Sequence, residues 1–336
     1  MPDIKIFAGR TSTSFADKMC AYLGVEKGQS FSKKFSEGNI YVRVDESIRD
    51  KDVYIVQTIG IDPNDEFTEL LFWIDAFKRA SAANITAVIP YYSYAKGDKK
   101  DEPRVSIRGK VCADCIEKVG VDRVITMDLH APQVQGFFSK PVDHLQYRKV
   151  LAEYARRLGI VNDDLVVVSP DAGFAKNARQ FAAELGCLTA IGDKTRSDHS
   201  EHAEILEIIG DVKNKNCLIV DDFTISGGTL IDVAEGLMDK GARNVLAFLS
   251  HAAVTSPKTV ERINNSPLKL VVTTDTVECP VLAHSDKIRV ISAAPLFAQT
   301  VRTIHDRKTT QYMYGHLEQK LYDASFAGVS THIDLD

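Results

Sequence analysis

Short β-branched runs alternate with helix-length amphipathic segments twice over in this chain, and that rhythm limits its fold more than any other feature. "IKIFA" (4–8), "VYIVQT" (53–58), "ITAVIP" (85–90) and "RVITMDLH" (123–130) read as strands. Between them Ser14–Leu23, Glu66–Ala82 and Ser106–Val119 place apolar residues three or four apart, as helices do. The alternation restarts after residue 148 with "LVVVSP", "LTAIGD", "CLIVDD", "NVLAFLSH", "KLVVTTD" and "RVISA". Repeated strand-helix units predict an α/β fold of two tandem domains, each a mainly parallel sheet flanked by helices. A chain of 336 residues is long enough for two such cores.

No apolar run approaches the roughly 20 residues that cross a bilayer, and "MPDIKIFAGR" lacks a signal peptide's apolar core, so a cytoplasmic protein without membrane partners is expected. The net charge of -5 argues against a nucleic-acid binder. Six scattered cysteines include one close pair, Cys112 and Cys115. A redox pair or half a zinc site is one reading; two thiols on a helix in a reducing compartment is the better one.

In open parallel sheets ligands bind beyond the carboxyl ends of strands. Four such ends carry polar groups: "MDLH" (Asp128, His130), "SPDAG" (Asp171), "GDKTR" (Asp193, Lys194, Arg196) and "VDDFTISGGT". In the last, Asp221 and Asp222 close an apolar run and a small-residue turn, Ile225 to Thr229, leads into a helix. Gly227 and Gly228 let backbone N–H groups approach an anion, and Ser226 and Thr229 add hydroxyl donors. The two acids suit vicinal hydroxyls, so a sugar phosphate satisfies both halves. A glycine turn with solvated aspartates is the plainer alternative. His130 and Asp171 are candidate ligands for a divalent metal, although a strand-end histidine is more often simply hydrogen-bonded. Lys194 and Arg196 place positive charge two residues apart, at the start of a charged segment, 196–207, that reads as a lid or a solvated loop. Tyr91–Arg108 reads as a long polar loop in which Lys96 and other cations face interleaved acids.

"DDFTISGGT" resembles the phosphoribosyl diphosphate (PRPP) loop shared by type I phosphoribosyltransferases and ribose-phosphate diphosphokinases. "MDLHAPQVQGFFSKPVDHL", "SPDAGFAKNAR", "FKRASAANITAVIPYYSYAKGDKK" and "EIIGDVKNKNCLIVDD" are similar to the diphosphokinases, and the likeness runs over residues 3 to 306. The resemblance implies transfer of the β,γ-diphosphoryl group of ATP to the anomeric hydroxyl of ribose 5-phosphate, with Mg2+ as cofactor. It implies a nucleotide-side domain at 1–147, completed by a helix near 301–322, and a ribose 5-phosphate domain at 148–300. Lys194 and Arg196 match the catalytic pair, and Asp221 with Ile225, Ser226, Gly227, Gly228 and Thr229 matches the ribose-phosphate site, beside Asp222. His130 and Asp171 match metal positions. Phe35, Glu37, Gly38 and Asn39 lie in a hairpin matching one that reaches the adenine of a neighbouring subunit, and Lys96 and Gly97 match positions beside the nucleotide phosphates. Ser47, Arg49 and Ser81 match a regulatory phosphate/ADP site. A homo-oligomer, commonly a hexamer built from dimers, is implied.

Departures from the family pattern are specific. Ile225-Ser226 stands for a usual Asp-Thr, Asn39 for Glu, Lys96-Gly97 for Arg-Gln, and Lys308–Gln311 for the Ser-Val-Ser of the regulatory site, and the tail runs past the usual end. Two readings therefore stay open: an active diphosphokinase, favoured by the retained Lys194, Arg196, His130 and Asp171, and a catalytically weak relative acting as a regulatory or binding subunit. A phosphoribosyltransferase is disfavoured by the doubled domain and the "DLH" strand end.

Overall fold

The computed structural model describes residues 4–196, 204–311 and 317–335, without the side chains of 194–196 and 204–206. The chain divides into two compact units. The first takes in the chain up to Gln146, with Asp275–Glu278 and Ser292–Ser325; the second takes Tyr147–Thr274, Cys279–Ile291 and the chain from Phe326 onward.

The first unit runs β1 (Ile4–Ala8), α1 (Thr13–Leu23), β2 (Ser30–Lys34), β3 (Ile40–Val44), β4 (Asp52–Val56), α2 (Pro63–Arg79), β5 (Asn84–Ile89), α3 (Arg108–Val119), β6 (Arg123–Met127) and β7 (Val142–Leu145). β1, β4, β5, β6 and β7 lie side by side in that order, every pairing parallel. Their apolar runs are buried because helices cover a parallel sheet on both faces. α2 has Pro63 at its start, Asp65 and Glu66 in its first turn and Lys78 and Arg79 in its last, which suits the helix dipole at both ends. Phe7, Ile55, Trp73 and Phe77 are fully buried, with the Phe7 and Phe77 rings 4.9 Å apart. β2 and β3 form a separate antiparallel hairpin.

The second unit runs α4 (Arg148–Arg157), β8 (Leu165–Ser169), α5 (Ala175–Leu185), β9 (Leu188–Arg196), β10 (Glu204–Ile209), β11 (Asn216–Thr224), α6 (Gly228–Asp239), β12 (Asn244–Ala252), α7 (Pro257–Asn265), β13 (Leu268–Thr274) and β14 (Ile288–Ile291). Its sheet has the order β10-β9-β8-β11-β12-β13-β14, parallel except for β10 against β9. Cys217, Leu218 and Ile219 on β11 and Val245–Phe248 on β12 form the middle of its core. Two last helices, α8 (Ala294–His305) and α9 (Gln319–Ser325), belong to the first unit, where the Phe297 ring of α8 meets Phe15 of α1 edge-on at 5.4 Å.

The sequence is corrected in one stretch. The segment 196–207, expected as a loop, carries strand at both ends: β9 reaches Arg196, and β10 pairs back on it from Glu204, while 197–203 lie outside the described residues. The run "EILEII" has the β-branched residues of a strand but not its alternation, and the charges before it hid it. Cys112 and Cys115 are free thiols on α3, and burial pushes the Cys112 thiol up to about 11, which makes it a packing residue. Among the described residues no helix is long and apolar enough to cross a membrane.

Candidate active site

β11 lies between β8 and β12, so its apolar residues are enclosed and its carboxyl end emerges at mid-sheet. Asp221 and Asp222 lie among its last four residues. The Asp222 N–H donates to Asp221 Oδ1 at 2.9 Å, and the Phe223 N–H donates to Asp222 Oδ1 at 2.9 Å. These bonds do not offset the crowding of two acids. Burial first, then the neighbouring charge of Asp222, holds Asp221 well above the usual carboxylate range, and Asp171 adds to the same repulsion. A carboxyl raised in this way is relieved by a cation or by the hydroxyls of a polyol.

The turn that follows has the shape expected of an anion cradle. Gly227 is left-handed, with φ 69, a conformation glycine adopts without strain. Its N–H donates to Thr224 Oγ1 at 3.1 Å, while the Gly228 N–H donates to Ser226 Oγ at 3.4 Å. Gly227 is also the N-cap of α6, and having no side chain it leaves the first turn of the helix without a side-chain cap. Ile225 projects beside this turn at 52% exposure, an apolar residue in water where the resemblance led one to expect an acid. Sequence reasoning missed one neighbour: Arg262 of α7 donates from Nη1 to the Ser226 carbonyl at 3.5 Å. Nothing in the sequence marks it, because an exposed helical arginine is the commonest kind.

Asp171 follows β8, the strand beside β11. Its Oδ1 accepts from the Phe174 N–H at 2.9 Å, and its carbonyl accepts from Ser169 Oγ at 2.7 Å, so the turn into α5 fixes the carboxylate. Lys194 and Arg196 lie on β9, next to β8, with backbones in register with Leu206 and Glu204; their side chains lie outside the described residues. β8, β9 and β11 are mutually parallel, so one sheet edge gathers Asp171, the acid pair and the phosphate turn.

The first unit gathers a second set. β5 and β6 are parallel neighbours, and the loops leaving their carboxyl ends carry Lys96 and His130. Gln133 Nε2 donates to Asp98 Oδ2 at 2.5 Å and ties these loops together. Lys96 Nζ lies 5.7 Å from the Tyr91 ring centre. Gly97 has a packing reason: a Cβ there would lie 2.8 Å from Arg108 Nε and 2.9 Å from Arg108 Cβ. His130 is exposed, whereas Leu129 just before it is buried.

The hairpin of β2 and β3 carries Phe35, Glu37, Gly38 and Asn39 at its exposed tip, closed by Phe35 N–H to the Asn39 carbonyl at 2.8 Å. It is not paired to the five-stranded sheet, so the structure brings these residues into no ladder with Lys96 or His130. Ser47 and Arg49 sit in the exposed turn before β4, and the Asp50 N–H donates to the Ser81 carbonyl at 3.0 Å, joining that turn to Ser81. Close by in sequence to Lys308–Gln311, His305 Nδ1 meets Asp52 Oδ2 at 3.1 Å and Lys308 meets Asp306 at 3.0 Å. A cavity of about 600 Å³ beside α1 is lined by Arg10, Lys18, Asp17 and Glu278 among others, and holds none of these candidates. Among the described residues no group of three His, Cys, Asp or Glu side chains forms a closed metal cage.

Comparison with known proteins bears on these two sheet edges. Residues 4–120 match the N-terminal domain of ribose phosphate pyrophosphokinase, and residues 193–315 match the phosphoribosyl synthetase-associated domain. The ribose-phosphate pyrophosphokinase of Clostridium acetobutylicum is 45% identical over 304 residues, covering 90% of this chain and 95% of that protein. That of Aquifex aeolicus is 39% identical over 315 residues, covering 94% of this chain and 100% of its own. The crystal structure of phosphoribosylpyrophosphate synthetase from Mycobacterium smegmatis superposes with a TM-score of 0.84 at 35% identity, over 91% of this chain and 99% of that one. Likeness of this extent, spanning both units and both sets of strand ends, places the chain in the ribose-phosphate pyrophosphokinase family.

Proposed function

We propose that this protein transfers the β,γ-diphosphoryl group of ATP to the anomeric hydroxyl of ribose 5-phosphate, forming PRPP and AMP. The observation that carries this reading is the carboxyl end of β11, where a crowded acid pair leads through a small-residue turn into a helix start without a side-chain cap. The N–H groups of Gly228 and Thr229, with the hydroxyls of Ser226 and Thr229, bind the 5-phosphate. Asp221 accepts from the ribose hydroxyls. The anomeric hydroxyl attacks the β-phosphorus in line and gives up its proton to solvent; its bond forms as the bond to the α,β-bridging oxygen breaks, and AMP leaves. Lys194 and Arg196 stabilise negative charge on the transferring group.

Magnesium fits the donor chemistry present in each unit: Asp171, whose carboxylate the turn into α5 fixes, and the exposed His130 would each hold an ion with substrate oxygens and water completing the shell. When bound it neutralises phosphate oxygens. Phe35, Glu37, Gly38 and Asn39, exposed at a hairpin tip, suit contact with a nucleotide held by a neighbouring copy, and a homo-oligomer follows from that reading. Lys96 and Gly97 line the nucleotide side, and Ser47, Arg49 and Ser81 the regulatory one. The exposed Ile225 favours one second reading, a binding subunit that holds ribose 5-phosphate without turning it over.

Purified protein with ribose 5-phosphate, ATP and magnesium decides between them. Equimolar AMP and PRPP, lost in Lys194→Ala, is the expected result. Binding of ribose 5-phosphate with no product, with or without added phosphate, would establish the subunit reading instead.

A further inference from the structure

The chain leaves β6 through a turn whose backbone is held in an unusual shape. Asp128, a non-glycine residue, sits at φ 37, in the left-handed region where a side chain is strained. Such a conformation persists only where the surroundings hold it, and three contacts do so. The Asp128 N–H donates to the Leu145 carbonyl of β7 at 3.0 Å. The Leu129 side chain is buried in the core of the first unit. The Leu129 N–H donates to Nε2 of His144, also on β7, at 2.9 Å. The next residue, His130, is then left exposed.

With Nε2 accepting, the neutral His144 ring carries its proton on Nδ1, which lies 3.2 Å from Gln135 Nε2 in the turn Pro132–Phe137; that amide nitrogen donates to the Pro132 carbonyl at 2.8 Å and is a second donor beside the ring, not an acceptor for it. Its neighbour Asp143 points to the opposite face of the strand and pairs with Arg123 at 2.5 Å, so no carboxylate of β7 competes for the ring. An imidazole accepting from a backbone N–H must keep its Nε2 lone pair, so a residue that ionises readily is held here in one tautomer to serve as an acceptor.

We propose that His144 is a positioning residue for the diphosphoryl transfer: through the Leu129 N–H it locks the strained Asp128–His130 turn and so aims His130 at the nucleotide side. The inference rests on the function proposed above but makes a claim about the chain that can be tested without it. His144→Leu keeps the bulk and removes the acceptor; His144→Gln returns an acceptor near the place of Nε2. In the full-length protein, hydrogen exchange at the Leu129 amide is expected to quicken in His144→Leu and to stay near the parent's rate in His144→Gln. The KM for magnesium-ATP is expected to rise about tenfold in the first variant, with little change in the KM for ribose 5-phosphate, and to recover in the second. Unchanged exchange at Leu129 in His144→Leu would overturn the anchor. Faster exchange with an unmoved KM for magnesium-ATP, or an equal rise for both substrates, would reduce it to a general stabilising contact and overturn the positioning role. A parent protein that forms no PRPP would strike down the proposed function instead; Leu129 exchange and calorimetric titration with magnesium-ATP would still decide the role of His144.

Discussion

Ser32, on the hairpin strand β2, donates from its hydroxyl to Oε1 of Glu69 at 2.7 Å, and Glu69 has no side-chain exposure at all. The same carboxylate accepts from Arg10 Nε at 3.0 Å and from the Arg10 N–H at 3.1 Å. A buried acid on α2 therefore fastens the hairpin that carries Phe35 and Asn39. Removing it leaves Ser32 and the Arg10 backbone without an acceptor, while the Arg10 side chain, 29% exposed, can turn to water. Glu69→Leu is expected to destabilise the first unit by about 2–4 kcal/mol. Thermal melting measures that loss, and Glu69→Gln, which keeps an acceptor for Ser32, should recover part of it.

Gly227 makes the phosphate turn left-handed, yet a Cβ added there would meet Ile263 no closer than 3.4 Å, an ordinary contact. The effect of Gly227→Ala is therefore conformational. The turn must hold a strained φ or open, and the KM for ribose 5-phosphate is expected to rise about tenfold, equivalent to roughly 1.4 kcal/mol. The KM for ATP should hardly move. Equal changes in both constants would mean that the substitution damages the unit as a whole.

How far the sequence foretold this arrangement differs from element to element. The strands β4, β8, β11 and β12 were legible because a sheet covered on both faces demands unbroken apolar runs. The polar ends of β8 and β11, and that of β6, followed, so Asp171, Asp221 and His130 could be picked out before any geometry was known. β7 was not legible: Val142–Leu145 is a short strand following a proline, and its pairing with β6 is a long-range fact. Nothing local marks Glu66 and Glu69 on α2 as buried acids, because Gly60, Arg10 and Ser32 meet them only in the fold. Gly97 stood out only as a departure from a usual Gln, whereas a Cβ there would crowd Arg108.

His144 also sets a pH dependence. Burial lowers its pKa from 6.5 to about 4, so between those values the unfolded chain binds a proton that the folded chain refuses. Stability contributed by this group is complete above pH 6.5 and is lost as pH falls toward 4, to a limit of roughly 3 kcal/mol. Urea unfolding at pH 7.5 and at pH 5 should show the parent losing more stability on acidification than His144→Gln does. Parallel losses would mean that the ring titrates alike in both states.

The tail from Phe326 onward is packed and bonded along the second unit. The Phe326 ring lies 5.0 Å from that of Tyr154 and beneath the Arg157 guanidinium at 4.8 Å. Beyond it, backbone carbonyls serve as acceptors for side chains of the sheet and α4: Ser330 for the Tyr154 hydroxyl and Arg289, His332 for Arg289 at 2.7 Å, and Leu335 for Asn244 at 2.9 Å. Ending the chain after Gly328 keeps the Phe326 packing and removes these acceptors. At about 1 kcal/mol for each bond, the second unit is expected to lose about 2–4 kcal/mol, with the exposed Arg289 recovering water and the buried Tyr154 hydroxyl contributing most of the loss. Because none of these bonds touches the carboxyl ends of β8 or β11, kcat should stay at the parent's value at temperatures where the shortened protein is folded. A fall in kcat without a fall in melting temperature would instead assign the tail to the reaction itself.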